Sequence, residues 1–456
     1  MSMSTPEHFP GLAPSLLSRR TLLQALAVGA GVSLLPRPGG ARAAAAPTGR
    51  VVVVGGGMAG ASAAKYLRYW GGSGVQVTLV DPTAAYTSHI MSNLVLNGSR
   101  KLSSLNFSRD GLRKQHGVVI RQAAVESLEP IQRVLRLSDG STLAYDRLIV
   151  APGIDFDPAY GLTAEDYTLR TPHAWAAGPQ TELLRQKVAA VPAGGVFVMT
   201  IPKAPYRCPP GPYERACVVA DFLKKRRNGN VKVLVLDENL AITAERENFT
   251  HAFNVIHGGV IDYQPGVQNL QINAYTGQVS WTDAVGTPRS VMAQAVNPIP
   301  PQRARGSRSG EWLQQAGLIN SADRRWAVVD LLSYESTAVA GVHVIGDAAQ
   351  TGLPKAGHVA NQEGKTCADA VLRLLAGGSP DPAPVLNSAC YSPITADTAS
   401  WLTAVYQYDA STRTMKVAAN NGVIAGATPT EAANISNKNF KRMDTWFKTL
   451  MADTFN

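Results

Sequence analysis

The segment from Arg50 to Asp81 constrains this chain more than any other. Four valines at 51–54 lead into Gly55-Gly56-Gly57-Met58-Ala59-Gly60. A small-residue stretch, 61–70, and a second apolar run, 75–80, follow and end at Asp81. Continuous apolar runs read as strands buried on both faces. A glycine turn between such a strand and a helix is the dinucleotide-binding fingerprint in its required context. Gly55 makes the tight turn, Gly57 lets the backbone approach a pyrophosphate, and Gly60 lets the helix pack on the strand. The helix N-terminus then faces the phosphates, and Asp81 is placed to accept the hydroxyls of the adenosine ribose. The expected architecture is α/β, opening with a dinucleotide-binding-type domain.

The chain has 456 residues, 45% hydrophobic and 17% charged, which suits two or three globular domains. Its net charge of +10 comes partly from Arg19, Arg20, Arg37 and Arg42 near the start. There is no dense Lys/Arg stripe with interleaved aromatics, so nucleic acid is not an expected partner. The remaining charge suits a small anion or an acidic partner face. Residues 1–43 read as an export signal: paired arginines before Thr21-Leu22-Leu23, an apolar run to Leu35, and the small-residue end Ala41-Arg42-Ala43. The arginine pair points to the twin-arginine route, which exports folded proteins, and so to a periplasmic protein. The run of roughly 15 apolar residues falls short of the ~20 a membrane span needs. No span is expected in the mature chain.

Two later segments extend the pattern. Residues 145–153, ending Ala151-Pro152-Gly153, resemble the strand-plus-glycine exit from the first domain of two-domain flavoproteins that bind FAD. Residues 342–348 resemble their late strand, in which an aspartate, here Asp347, contacts the ribityl chain or phosphate. Between them, runs at 195–201 and 231–237 read as parallel strands around a helical region from Tyr213 to Lys225, the topology of a second nucleotide domain. Its first loop, however, carries Cys208 among Pro205, Pro209, Pro210 and Pro212 instead of glycines. Prolines remove backbone donors, so a nicotinamide nucleotide is not expected there. The expected divisions are an FAD-binding part at 48–157, a second unit at 158–290, a return to the FAD domain at 291–380, and a C-terminal domain at 381–456. The four cysteines, Cys208, Cys217, Cys367 and Cys390, lack CxxC spacing, so no metal site is expected. Cys217 and Cys367 fall on helices and read as small buried hydrophobes.

The loop 207–215 (Arg-Cys-Pro-Pro-Gly-Pro-Tyr-Glu-Arg), the crossing 299–303 (Ile-Pro-Pro-Gln-Arg), Leu386-Asn387 before Cys390-Tyr391-Ser392, and the ending from Trp446 to Phe455 resemble the flavoprotein subunit of flavocytochrome c sulfide dehydrogenase. The likeness runs through essentially the whole mature chain. It implies a glutathione-reductase-like flavoprotein with a distinct C-terminal domain, FAD as cofactor, and a c-type cytochrome subunit as partner. It also implies that Cys208 and Cys390 form a redox-active disulfide beside the flavin and that sulfide, or a related small sulfur anion, is the substrate. By the same analogy Cys390 lies nearest the flavin, Cys208 receives the sulfur, and Trp446 belongs to the flavin site. Glu214, six residues past Cys208, is a candidate for proton handling or a helix-start carboxylate. Lys355 is either a charge balance for reduced flavin or a surface lysine.

One departure stands out. The family can carry a cysteine bonded to the flavin within a Tyr-Thr-Cys segment. Here the segment is Ala85-Tyr86-Thr87-Ser88-His89, and His89 takes that place. FAD held without a covalent bond is the expectation, with a histidyl linkage as the alternative. Three other readings share much of the pattern. A sulfide:quinone oxidoreductase would need an additional catalytic cysteine and an apolar tail. An NAD(P)H-dependent disulfide reductase would need the second glycine loop, and a non-catalytic flavin-binding partner subunit would hold Cys208 and Cys390 only as a structural disulfide.

Overall fold

Strand β1 (Gly49–Val54) is buried from Val51 to Val54, as its unbroken valines require. After the glycine turn comes helix α1 (Met58–Gly71), then β2 (Val75–Val80), β3 (Val119–Arg121) and β4 (Arg147–Val150). β1 pairs in parallel with β2 and with β4, and β2 pairs with β3. Described here, in a computed structural model, are residues 46–419 and 427–456; the expected export segment at 1–43 lies outside them. The buried face of α1 is built from Ala59, Gly60, Ala61, Ala63, Ala64 and Leu67. These short side chains let the helix lie close against the sheet.

A second parallel sheet follows. Its strands are β5 (Val196–Ile201), β6 (Lys232–Asp237), β7 (Ile261–Pro265) and β8 (Ala295–Pro298), in the order β7-β6-β5-β8. Helix α2 (Gly211–Arg226) connects β5 to β6, and nearly all of it up to Leu223 is buried. It starts directly after the proline loop, and its Tyr213 hydroxyl donates to Asp237 Oδ2 at 2.8 Å. The cysteine loop is therefore clamped between the end of β5 and a buried helix.

The chain then rejoins the first sheet as β9 (Val342–Val344) alongside β4. Helix α3 (Gly357–Leu375) packs on α1 so closely that a Cβ at Gly364 would lie 2.5 Å from the Ala59 carbonyl oxygen. The C-terminal part is an antiparallel sheet of β10 (Val385–Pro393), β11 (Ala399–Asp409) and β12 (Thr414–Ala418), then helix α4 (Asn437–Phe455). α4 buries Met443, Phe447, Leu450, Met451 and Phe455, one helical face by spacing. Phe455 stacks on Tyr86 and Phe107 at ring separations of 5.1 and 5.8 Å. This returns the end of the helix to the nucleotide-binding part. Among the described residues, no helix is long and apolar enough to cross a membrane.

Candidate active site

A cavity of about 530 Å³ runs between these layers. Gly55, Gly57 and Asp81 line one part of it; Gly153, His89 and Asp347 also border it, and Cys208, Glu214, Cys390 and Trp446 line the rest. Gly60 supports the wall from behind. A Cβ there would fall 1.9 Å from the Gly55 carbonyl oxygen, so only glycine allows the helix its position. Gly55 has φ +95°, and its own Cβ would meet the Ala151 oxygen at 2.1 Å. At Gly57, by contrast, an added Cβ would meet only Tyr86, at 3.8 Å. The first turn of α1 has no side-chain cap. Its unpaired N–H groups thus face open space, which suits an anion.

Asp81 is fixed on both oxygens. Oδ2 accepts the Gly56 N–H at 2.7 Å and lies 3.1 Å from the Arg109 guanidinium. Oδ1 accepts from the Thr83 N–H at 2.8 Å and from its hydroxyl at 2.6 Å. Arg109 is buried and also donates to the Gly56 carbonyl at 3.1 Å. No motif marks it. It arrives from another element by packing alone, and sequence reasoning missed it.

At the thiol end, Cys208 adopts a left-handed backbone, φ +58°. For a residue with a Cβ that conformation costs roughly 1–2 kcal/mol, held here by the loop's contacts. The Cys208 N–H donates to the Lys355 carbonyl at 2.6 Å, and Gly211 N–H donates to the Cys208 carbonyl at 2.9 Å. A Cβ on Gly211 would sit 2.8 Å from Cys208 Sγ, so the sulfur rests against the start of α2. Arg207 donates to the Trp175 carbonyl, and Trp175 Nε1 donates back to the Arg207 carbonyl at 3.1 Å. Cys390 reaches the same cavity from β10. Both sulfurs are free thiols here. Burial pushes the Cys208 thiol up to about 12, opposed by the Arg207 charge and the Gly211 N–H. At Cys390 burial comes first, and Cys208, Glu245 and Glu214 all push the same way. Cys217 and Cys367 are fully buried and outside the cavity wall.

Glu214 is buried beside the thiols on α2. Its Oε1 accepts from Asn93 Nδ2 at 2.9 Å. Burial raises its carboxyl to about 8, against the lowering effect of Asn93. Its neighbour Arg215, also buried, donates to Asn93 Oδ1, to Asn297 Oδ1 and to the carbonyls of His173 and Ala174. Neither Asn93 nor Asn297 carries a sequence signal for this role. Both were missed.

His89 Nδ1 accepts the Ala177 N–H at 2.9 Å. Burial, with Arg207 and Arg305 nearby, holds its pKa well below the ordinary value, so the ring is neutral. Lys355 is half-buried and does not line the cavity. Its Nζ donates to the Asp347 and Ala349 carbonyls at 2.8 and 2.9 Å and lies over the Trp326 ring. The cause is local: a buried ammonium needs acceptors, and the turn after β9 presents two. Asp347 itself is pushed up by burial against the pull of Arg207 and Lys355. Trp446 Nε1 is buried with no partner, yet the residue borders the cavity. An orphaned donor of this kind calls for an acceptor on a bound group.

An open helix start, a fixed acidic residue after β2, and an unpartnered indole bordering the same cavity fit a flavin dinucleotide. Comparisons with known proteins agree. Residues 49–196 match the pyridine nucleotide-disulphide oxidoreductase family. Residues 181–300 match the central region of the sulfide dehydrogenase [flavocytochrome c] flavoprotein chain. Residues 382–455 match the flavin-binding region of flavocytochrome c sulphide dehydrogenase. The ferroptosis suppressor protein 1 of Taeniopygia guttata is 35% identical over 108 residues, 23% of this chain. That match spans only 27% of the relative's length. The sulfide dehydrogenase [flavocytochrome c] flavoprotein chain of Chlorobaculum thiosulfatiphilum is 56% identical over 48 residues, 10% of this chain and 98% of that sequence. In fold, the chain is similar to the sulfide:quinone oxidoreductase of Aquifex aeolicus, with a TM-score of 0.71, 16% identity, and coverage of 89% of this chain and 91% of that one. The nucleotide turn, the cavity and the flavin-binding region make FAD the cofactor. Together these features place the chain in one family: it belongs to the flavocytochrome c sulfide dehydrogenase flavoproteins, a family of oxidoreductases.

Proposed function

We propose that this protein oxidises sulfide through a disulfide between Cys208 and Cys390 and passes the electrons to a c-type cytochrome subunit. The observation that carries this reading is that both cysteines and Glu214 border the cavity that the nucleotide-binding turn opens into. Gly57 and the start of α1 would hold the pyrophosphate, Asp81 the ribose and Trp446 the flavin end. When bound, FAD supplies a two-electron acceptor that can release its electrons one at a time. The chain has no CxxCH haem site of its own, so a separate haem protein receives them. The arginine pair at 19–20 supports export to the periplasm, an oxidising compartment in which such a disulfide forms.

The chemistry this chain performs starts with hydrosulfide attack on one sulfur of the disulfide. The S–S bond breaks, a persulfide forms on the attacked cysteine, and the other leaves as a thiolate. Two electrons have then moved from sulfide to the cysteine pair. The better leaving group is the sulfur with the lower pKa. At Cys208 burial, Glu214 and Asp347 oppose a thiolate, but Arg207 and the Gly211 N–H favour one, and Cys390 has no such favourable neighbour. The attack is therefore assigned to Cys390, with Cys208 leaving, the reverse of the order drawn from the family analogy. Glu214, raised to about 8, takes up the proton when a thiol must ionise.

Stopped-flow addition of sulfide to the FAD-loaded protein tests this reading. Bleaching of the flavin band is expected, and Cys208→Ser or Cys390→Ser should abolish it while keeping bound FAD. Bleaching by NADH and not by sulfide would overturn the assignment.

A further inference from the structure

A second, larger cavity of about 2050 Å³ meets the first at one place: Cys390 and Pro210 are the residues common to both walls. Cys208 and Glu214 do not line it. Glu245 does, and it is built in an unusual way. It begins the short helix Arg246–His251 with a left-handed backbone, φ +50° and ψ +46°. That position would ordinarily favour glycine or asparagine. Here it carries a glutamate with 1% exposure.

The Glu245 carboxyl is held by one edge only. Oε1 accepts the Ser392 hydroxyl at 2.6 Å. Ser392 lies two residues beyond Cys390 on β10, so the two side chains share a face of the strand. Ser400, opposite Ser392 in register, brings a second hydroxyl close to the carboxyl. Oε2 is buried with no hydrogen-bond partner among the described residues. The charged groups around it are mostly acidic: Glu431 acts on it directly, and it acts in turn on Glu214, Cys390 and Cys217. Lys203, Arg246 and His251 line the same cavity, yet no cation lowers the carboxyl's pKa, and burial raises it to about 7.

We propose that this second cavity is where the small sulfur species arrives, and that Glu245 is the proton acceptor that generates hydrosulfide beside Cys390. The inference rests on the functional reading above. The S–H bond of hydrogen sulfide breaks, an O–H bond forms on the Glu245 carboxyl, and the electron pair stays on sulfur. The resulting hydrosulfide attacks Cys390 while Cys208 departs. The proton then leaves through the cavity to water. Glu214 and Glu245 thus serve opposite sides of one disulfide, the first facing the cofactor cavity and the second facing the substrate.

The test uses the FAD-loaded full chain. Glu245→Gln keeps an acceptor for Ser392 and should slow sulfide bleaching at pH 7 at least about tenfold. Its pH profile should follow only the ionisation of dissolved sulfide, and reduction by dithionite should be unchanged. Ser392→Ala leaves the carboxyl but removes a hydroxyl that lowers its pKa, so the limb due to Glu245 should move to higher pH. Independently of turnover, alkylation after a single addition of sulfide, followed by peptide mass spectrometry, should place the added sulfur on Cys390. A wild-type rate and profile in Glu245→Gln, or added sulfur on Cys208, would overturn the proposal. If the unaltered protein is not bleached by sulfide, the functional reading falls and this assignment falls with it.

Discussion

Asn93 donates through Nδ2 to Glu214 Oε1 at 2.9 Å and accepts from Arg215 Nε at 2.8 Å through its own Oδ1. Arg215 therefore fixes which way the amide points, and the amide holds the carboxylate form of Glu214 against the cost of burial. Replacing Asn93 by Ala removes a hydrogen bond that lowers the Glu214 pKa. The ionised form should then appear only above about 8, and the limb on which sulfide bleaching rises with pH should move to higher pH. Glu214→Gln should lose that limb altogether. A limb that stays in place in Asn93→Ala, measured by stopped flow across pH, would separate Glu214 from the proton step.

Trp446 offers a second test, read without turnover. Its buried Nε1 has no partner. Trp446→Phe keeps an aromatic ring and removes only this donor. A hydrogen bond of this kind contributes about 0.5–1.5 kcal/mol, so FAD should bind roughly 2- to 13-fold more weakly. Titration of the apoprotein, followed by flavin fluorescence, measures the change. Unaltered affinity would place the indole away from the cofactor.

The attachment of FAD is settled by acid precipitation. With His89 engaged through Nδ1 to Ala177 and neutral by burial, the ring serves as a hydrogen-bond acceptor. The yellow colour should therefore appear in the supernatant. Colour retained in the pellet and lost in His89→Ala would establish a histidyl bond.

Stability should fall as pH rises across the neutral range. Burial lifts Glu214 and Glu363 to about 8 and Glu245 to about 7, from an ordinary value of 4.5. Between these limits the folded chain binds more protons than the unfolded chain, so raising the pH favours unfolding. The contribution is favourable to folding in full only below about 4.5. The histidines that burial holds below their ordinary 6.5 act the other way at lower pH. The melting temperature of the apoprotein should accordingly decline from about pH 7 to about pH 8. Glu363→Gln, which can still accept the Gly346 N–H bonded at 2.6 Å, should flatten that slope. An unchanged slope would show Glu363 to be ionised in the fold.

Local pattern made much of this protein legible. The turn at Gly55–Gly60, the helix after it and the two parallel strands follow from an apolar run, small residues and a glycine spacing, all within one short stretch. Cys208, Cys390, Asp347 and Trp446 were named through resemblance, and they share one cavity. What the sequence hides is lateral. Arg109 reaches Asp81, Asn93 reaches Glu214, and Asn297 reaches Arg215 across elements far apart in the chain, and a polar side chain leaves no periodic trace. Glu245 looks like any surface glutamate until the fold turns it inward. The place of Lys355 is hidden for the same reason: its partners are backbone carbonyls, which every residue possesses and no residue type announces.

The cofactor cavity draws its walls from Val54 at one extreme of the chain order and Trp446 at the other. A growing chain presents the nucleotide turn early but cannot enclose anything there until more than 390 further residues have been made. Enclosure of the flavin is thus a late event in the order in which the chain is made. A folding chain that loses α4 should keep its first sheet and its phosphate turn, and yet leak its flavin.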